Sequence, residues 1–290
     1  MSWRTVIIAH SAKLDYQLGY MVVRQQDVVR ISVEEIETLV IESTAVSLTT
    51  ALLAELIKKK VKVIFCDEKH NPASELVAYY GAYDVSGKIR KQIEWDSEIK
   101  SAVWTEIVTD KIRKQAQYLL ERNLEEGKML LEYVKEMEFG DVTNREGHAA
   151  KVYFNALFGK DFTRSSDISV NAALNYGYSI ILSSFNRHIA SKGYLTQLGI
   201  FHDNMFNPFN LSSDMMEPFR IIVDRYVYNM KPEKFEHEEK VKLFYMMSDT
   251  VKICGRKESV SNAISIYAKS VINALNDRDV SQISFYEYEL

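Results

Sequence analysis

Apolar and polar residues alternate in short β-branched runs over the first positions of the chain: Thr5-Val6-Ile7-Ile8, Leu14-Asp15-Tyr16-Gln17-Leu18, Tyr20 to Arg24, Val28 to Ser32 and Ile36 to Glu42. A period of two marks strands with one buried face, and runs this closely spaced predict an antiparallel meander. Between Ser47 and Lys60 the pattern changes: Leu48, Leu52, Leu53 and Ile57 recur at helical spacing, and three lysines close the last turn, where the helix dipole favours cations. Val61 to Cys66 returns to an apolar strand, and Asn71-Pro72 supplies a turn. A break at Ser86-Gly87 is predicted to end this β-rich region.

Helix formers dominate beyond that break. Apolar periodicity predicts helices around 93–123, 127–137, 144–158, 169–190, 215–230, 238–247 and 259–276. The predicted fold is α+β: an antiparallel β-rich N-terminal domain over 1–87, followed by a larger all-α domain over 88–290.

Composition narrows the class. A chain of 290 residues, 47% of them hydrophobic, fills a substantial core, and only 11 Gly and 4 Pro exclude collagen-like and low-complexity architectures. The longest uncharged stretch, 168–186, contains Asn171, Asn175, Ser183 and Ser184, too polar for a bilayer span. Cys66 and Cys254 are far apart and no charged-then-apolar leader is seen, so a cytoplasmic protein without a membrane partner is expected. A formal net charge of -4 gives the whole chain no bias toward phosphate, so any nucleic-acid contact must be a local patch.

Common cofactor signatures are missing. There is no GxGxxG and no complete phosphate loop, and His237-Glu238-Glu239-Lys240-Val241 has Val where a zinc-binding helix needs its second His. What remains is a set of acids and one imidazole at the starts of helical segments. The first group is Thr143-Asn144-Arg145-Glu146-Gly147-His148, in which Thr143 and Glu146 also fit a capping box. The second is Gly199-Ile200-Phe201-His202, followed by Asp214-Met215-Met216-Glu217-Pro218-Phe219-Arg220. Asp214 and Glu217 are equally compatible with capping a helix start, although Pro218 would remove a backbone bond there. Two carboxylates and an imidazole also suit Mg²⁺ or Mn²⁺, but spacing alone does not bring them together.

The ordered set Glu146-Gly147-x-Ala149-Ala150-x-x-Tyr153-Phe154, Leu174-Asn175-Tyr176-Gly177-Tyr178, the His202 loop and Asp214 to Arg220 resembles the CRISPR-associated integrase that acquires spacers, in its type II form. The likeness covers the whole chain. It implies a β-rich N-terminal domain and a helical domain holding one divalent ion, Mg²⁺ or Mn²⁺, on Glu146, His202 and Glu217. Asp214 is then an acidic neighbour and Arg220 a basic group near the scissile phosphate. Glu217 stands where the family often has Asp, and His148, two residues from Glu146 on a helix, is expected to face away.

The activity so implied is strand transfer: the 3′-hydroxyl of a captured DNA fragment attacks a phosphodiester at the leader end of a CRISPR repeat. Implied partners are double-stranded DNA, a second copy of the chain, and a small ferredoxin-like adaptation protein bridging two dimers in a 4:2 complex, with other type II CRISPR proteins as further candidates. The N-terminal domain is expected to carry the homodimer contact. Arg145, Lys151, Arg164, Arg187 and Arg225 are candidates for tracking DNA phosphates. A metal-dependent DNA repair nuclease using water as nucleophile would need the same ligands, and a non-catalytic DNA-binding scaffold would need none of them.

Overall fold

Alternating burial along Val6, Ile8, Ala12, Leu14, Met21 and Val23 builds the first strands of a computed structural model that describes residues 4–76 and 84–288. The chain divides between Tyr79 and Tyr80 into two units. In the first, β1 (Arg4–Ile8), β2 (Ala12–Gln17), β3 (Tyr20–Arg24), β4 (Val28–Ser32), β5 (Ile36–Ile41), β6 (Val46–Leu48), α1 (Thr50–Lys58), β7 (Lys62–Cys66) and β8 (Pro72–Glu75) form two four-stranded sheets, ordered β4-β3-β2-β6 and β1-β5-β7-β8. Leu18 and Gly19, both at positive φ, make the two-residue turn that joins β2 to β3. Leu14, Met21, Val33, Ile36, Leu39, Leu52, Leu56 and Val63 form the heart of its core.

The antiparallel expectation holds only for β2-β3-β4 and for β7-β8. β6 joins β2 in parallel, and β1, β5 and β7 are parallel to one another. Parallel neighbours need crossovers: the β2-β4 hairpins lie between β1 and β5, and β6 with α1 lies between β5 and β7. The continuous apolar runs Leu39-Val40-Ile41 and Val63-Ile64 are buried throughout, the pattern of strands covered on both faces.

The second unit contains α2 (Val85–Ile93), α3 (Ser97–Glu121), α4 (Glu126–Lys135), α5 (Arg145–Phe158), α6 (Ser169–Ser191), α7 (Asn210–Met215), α8 (Arg220–Met230), α9 (His237–Tyr245) and α10 (Val260–Asp277). The Ser86-Gly87 pair lies inside α2 and is no break, because a glycine costs a helix only about 1 kcal/mol. The long α3 is capped by Asp96, whose carboxylate accepts the Ile99 N–H, and packs against α4, α5 and α10. The unit is not all-α. β9 (Thr250–Ile253) pairs antiparallel with β10 (Arg256–Ser259) across a Cys254-Gly255 turn at positive φ, and with β11 (Tyr286–Glu287). The helix predicted over 215–230 is also divided. A 3-10 turn at Glu217–Phe219 separates α7 from α8, as Pro218 has no N–H to continue the ladder.

Gly177 shows why the Tyr-Gly-Tyr run of α6 has no side chain at its centre. A Cβ there would stand 2.3 Å from Cγ1 of Val223, so α6 and α8 meet at a distance only glycine permits. Gly177→Ala is expected to destabilise the fold by about 1–3 kcal/mol in urea unfolding, and Val223→Ala in the same chain to recover much of the loss. Equal stability of Gly177→Ala and the wild type would disprove the close approach.

Candidate active site

Three elements of the helical unit bring charge to one place. Lys111, on the buried face of α3, places its Nζ 2.6 Å from Oε1 of Glu146 on α5 and 2.5 Å from Oε2 of Glu217 in the 3-10 turn. The other Glu217 oxygen accepts from Arg220 Nε at 2.8 Å. Burial opposes the charge on Glu217, but Arg220 and Lys111 outweigh it and hold the carboxyl well below the usual range. Lys111 is likewise held above its ordinary value, against burial, by Glu217 and Glu146.

Local structure explains each placement. Glu146 does not close a capping box with Thr143. Asn144, in a left-handed conformation, is the cap residue, its side chain accepting the Gly147 N–H. Asp141 takes the N–H groups of Arg145 and Glu146. With these first-turn donors satisfied, the Glu146 side chain is free to face α3. His148 stays exposed, as expected of a bystander.

Asp214 caps nothing either. Fully buried, it accepts the backbone N–H groups of Ile200, Phe201 and His202 at 2.6, 3.0 and 3.1 Å and the His202 ring at 2.5 Å from Nδ1. It is therefore a positioning residue, with both oxygens committed. Its hydrogen bond leads the causes that raise the His202 pKa above its ordinary value. With Nδ1–H donated to Asp214, Nε2 is left as the nitrogen that can take a metal, in the carboxylate-histidine-metal arrangement. Gly199 makes this loop possible, because a Cβ there would lie 2.2 Å from the His202 carbonyl oxygen and 2.9 Å from Asp214 Oδ2. Phe201 stacks on Trp104 of α3 at 4.4 Å, fixing the loop from the other side.

A cavity of about 220 Å³ opens beside the carboxylates, lined among others by Gln115, Arg164, Tyr178 and Asp224. Arg220 lies over the Tyr178 ring at 4.7 Å and Arg164 over the same ring at 5.3 Å, while the Tyr178 hydroxyl donates to Asp224 at 2.5 Å. Of the other bases proposed to track DNA, Arg145 is paired with Glu136 and Arg225 with Glu121, whereas Lys151 is exposed. Among the described residues, no three His, Cys, Asp or Glu side chains are gathered to hold a metal ion, and Lys111 Nζ takes the place between the two glutamates. The donor set nonetheless fits a hard divalent cation. Two carboxylates already converge on one positive charge, and the His202 ring presents a free Nε2 with its side chain 41% exposed.

Lys111, Gln115 and Asp224 were not among the residues singled out by motif, and Tyr178 was quoted in the resemblance without a role. One signal was present for the first two: Trp104, Ile107, Val108, Lys111, Gln115, Tyr118 and Leu119 fall on one buried helical stripe, where a lysine and a glutamine are out of place.

Burial pushes Asp224 up to about 6, even though the Tyr178 hydroxyl donates to its charged form. A carboxyl with a folded value above its unfolded one, near 3.9, binds its proton more tightly when folded. The penalty is therefore fully present above about pH 6 and vanishes as the pH falls below about 4. Asp224→Asn should gain about 3 kcal/mol of stability relative to the wild type between pH 4 and pH 7.5, measured by urea unfolding. A difference that does not vary with pH would refute the buried charge.

A family model described as CRISPR associated protein Cas1 matches residues 5–253. The chain is 33% identical over 232 residues to the CRISPR-associated endonuclease Cas1 of Neisseria meningitidis, covering 79% of this chain and 76% of that one. Among solved structures, a casposase bound to its integration product superposes with a TM-score of 0.79 at 19% identity, over 100% of this chain and 95% of that one. A chain of a partial Cas6-RT-Cas1 and Cas2 complex does so with a TM-score of 0.68 at 18% identity, over 99% of each. With most of its length matched by the family model, and a relative this similar, the chain belongs to the CRISPR-associated Cas1 family.

Proposed function

We propose that the chain is a divalent-metal-dependent DNA integrase of CRISPR adaptation, of the type II form, joining the 3′-hydroxyl ends of captured fragments to the leader-repeat boundary. The observation that carries this reading is the convergence of Glu146 and Glu217 on a single cation, with His202 held beside them by Asp214. The family relatives are called endonucleases, and a structural neighbour is captured on an integration product, which supports phosphodiester chemistry on DNA.

Glu146, Glu217 and Nε2 of His202 would hold Mg²⁺ or Mn²⁺. When bound, such an ion supplies Lewis acidity at phosphate oxygens and lowers the pKa of a hydroxyl. The chain's own residues do the rest. Asp214 fixes the His202 tautomer and the path of its loop. Arg220, braced on Tyr178 and joined to Glu217, is partly exposed and offers charge to a crowded phosphate. In the exchange, the attacking 3′-hydroxyl gives up its proton and its oxygen forms a bond to phosphorus, while the bond to the leader's 3′-oxygen breaks and that oxygen takes up a proton, leaving the repeat's 5′ end joined to the fragment. One phosphodiester replaces another, which agrees with the missing nucleotide-binding loop.

Glu146→Gln, His202→Asn and Glu217→Gln should each lower metal-dependent strand transfer by orders of magnitude while circular dichroism stays unchanged. The assay uses a labelled duplex with a free 3′-hydroxyl and a repeat-containing plasmid, so joined product and hydrolytic nicks are read separately. Nicks without joining would point to a repair nuclease, and near-normal joining by any one variant would remove that residue from the ligand set.

The first unit is assigned the homodimer contact. β4 is the edge of its sheet, and its Val28 and Val29 are 57% and 50% exposed, an apolar edge ready to pair with a second copy. A Cas1 and Cas2 complex among the structural neighbours supports a further adaptation partner, assigned here as the small ferredoxin-like protein of a 4:2 assembly. Light scattering should give the mass of two chains for the wild type and of one for Val28→Lys/Val29→Lys. A monomeric wild type, or an undisturbed dimer in the variant, would defeat the assignment. No helix among the described residues is long and apolar enough to cross a membrane.

A further inference from the structure

A metal site built from Glu146, Glu217 and His202 does not call for a lysine at its centre. Lys111 Nζ nevertheless touches one oxygen of each carboxylate, at 2.6 and 2.5 Å, from a side chain only 10% exposed. Two half-buried or buried carboxylates facing one point repel each other, and an ammonium between them offsets both their repulsion and part of their lost hydration.

A second, independent feature lies one helical turn along. Gln115 is 4% exposed and lines the same cavity as Lys111, Glu146 and Glu217, yet its Oε1 is buried and takes no hydrogen bond among the described residues. An unpaired amide oxygen in the interior costs about 1–3 kcal/mol, and a donor that reached Gln115 Oε1 would relieve that cost. Residues four apart on a helix are neighbours on its surface, so an acceptor without a donor stands within reach of the lysine's flexible stem. The about 220 Å³ of open space between these groups gives the stem room to turn.

We infer that Lys111 is a resident counter-cation of the Glu146 and Glu217 pair, which yields its place to a divalent ion and swings to donate to Gln115 Oε1. The inference rests on the metal reading above and adds an exchange of one cation for another within the same chain. No bond is made or broken in it. The ammonium leaves two carboxylate oxygens and gains one amide oxygen and the cavity's water. Metal affinity is then set partly by how much the lysine loses on leaving.

The test is calorimetric titration of Mn²⁺ into the full chain, together with thermal unfolding with and without Mn²⁺, for the wild type, Lys111→Met, Gln115→Leu and Glu217→Gln. Lys111→Met should melt lower than the wild type without metal, bind Mn²⁺ about tenfold more tightly or better, and lose its stability deficit at saturating Mn²⁺. A lysine that merely packs the core would leave the same deficit with and without metal, and that result overturns the inference. Gln115→Leu should keep or improve the metal-free melting temperature and bind Mn²⁺ several-fold more weakly. Unchanged Mn²⁺ affinity in Gln115→Leu also overturns it and decides the matter if Lys111→Met does not fold. Failure of the metal reading looks different: the wild type and Glu217→Gln would then bind Mn²⁺ equally or not at all.

Discussion

Holding two acidic side chains around one buried positive charge is the constraint on which the helical unit depends. Glu146, Glu217 and Lys111 come from three elements, and removing one partner of such a group costs about 3–5 kcal/mol, because the others are left charged without compensation. The surrounding structure is arranged to keep all three in register. Asp141 satisfies the first donors of α5, which turns Glu146 toward α3. Pro218 interrupts the helix after Glu217, and the Tyr286 hydroxyl of the C-terminal strand donates to the Pro218 carbonyl at 2.9 Å. Tyr286 is itself buried against Phe219 and beneath Lys114, whose ion pair with Asp110 occupies α3 beside Lys111. The last strand of the chain thus supports the turn that carries Glu217.

His202 is held by a different device. A loop would ordinarily be the most mobile part of a site, but this one gives three consecutive backbone N–H groups to Asp214 and packs Phe201 on Trp104. A carboxylate that accepts from its own loop and from the ring at once leaves the imidazole little freedom in tautomer or direction. Gly199 is the price in sequence, since any side chain there collides with the His202 carbonyl. The loop is therefore as much a part of the scaffold as the helices.

How much of this was legible in the sequence follows from which interactions are local. Period-two alternation located β1 to β5, an apolar run located β7, and helical spacing located α3, α5, α6 and α10 within a few residues, because each pattern reports burial, whereas β6 and β8 were read as part of a helix and a turn. Strand direction was not legible, since whether β1 pairs with β5 depends on a crossover rather than on either strand's own residues. The short strands β9 and β10 were lost in a helical context that offered only four residues each. At the site, Glu146, His202 and Glu217 were found by resemblance, while their local sequences read equally well as caps. The cap reading failed because Asp141, Asn144 and the loop backbone satisfy those donors and acceptors instead. Lys111 and Gln115 were visible only as polar interruptions of an apolar stripe, which marks burial but not the partner.

The balance of charge at the site connects the fold to its chemistry. Glu146, Glu217 and Asp214 bring three negative charges, and Lys111, Arg220 and a His202 whose pKa is raised by Asp214 bring up to three positive ones. Asp224, pushed up to about 6 by burial, is mostly ionised near neutrality and adds a further negative charge to the cavity wall. A divalent cation between the glutamates in place of an ammonium raises the local charge by one unit, and ligation of His202 requires it to give up its proton. On that count the exchange leaves the net charge of the six side chains and the ion near zero, with the partly exposed Arg220 as the base that faces a phosphodiester. Because the six side chains nearly cancel, a phosphodiester at this site would be held by the ion itself and by Arg220 rather than by a fixed basic patch, in keeping with a chain whose net charge is -4.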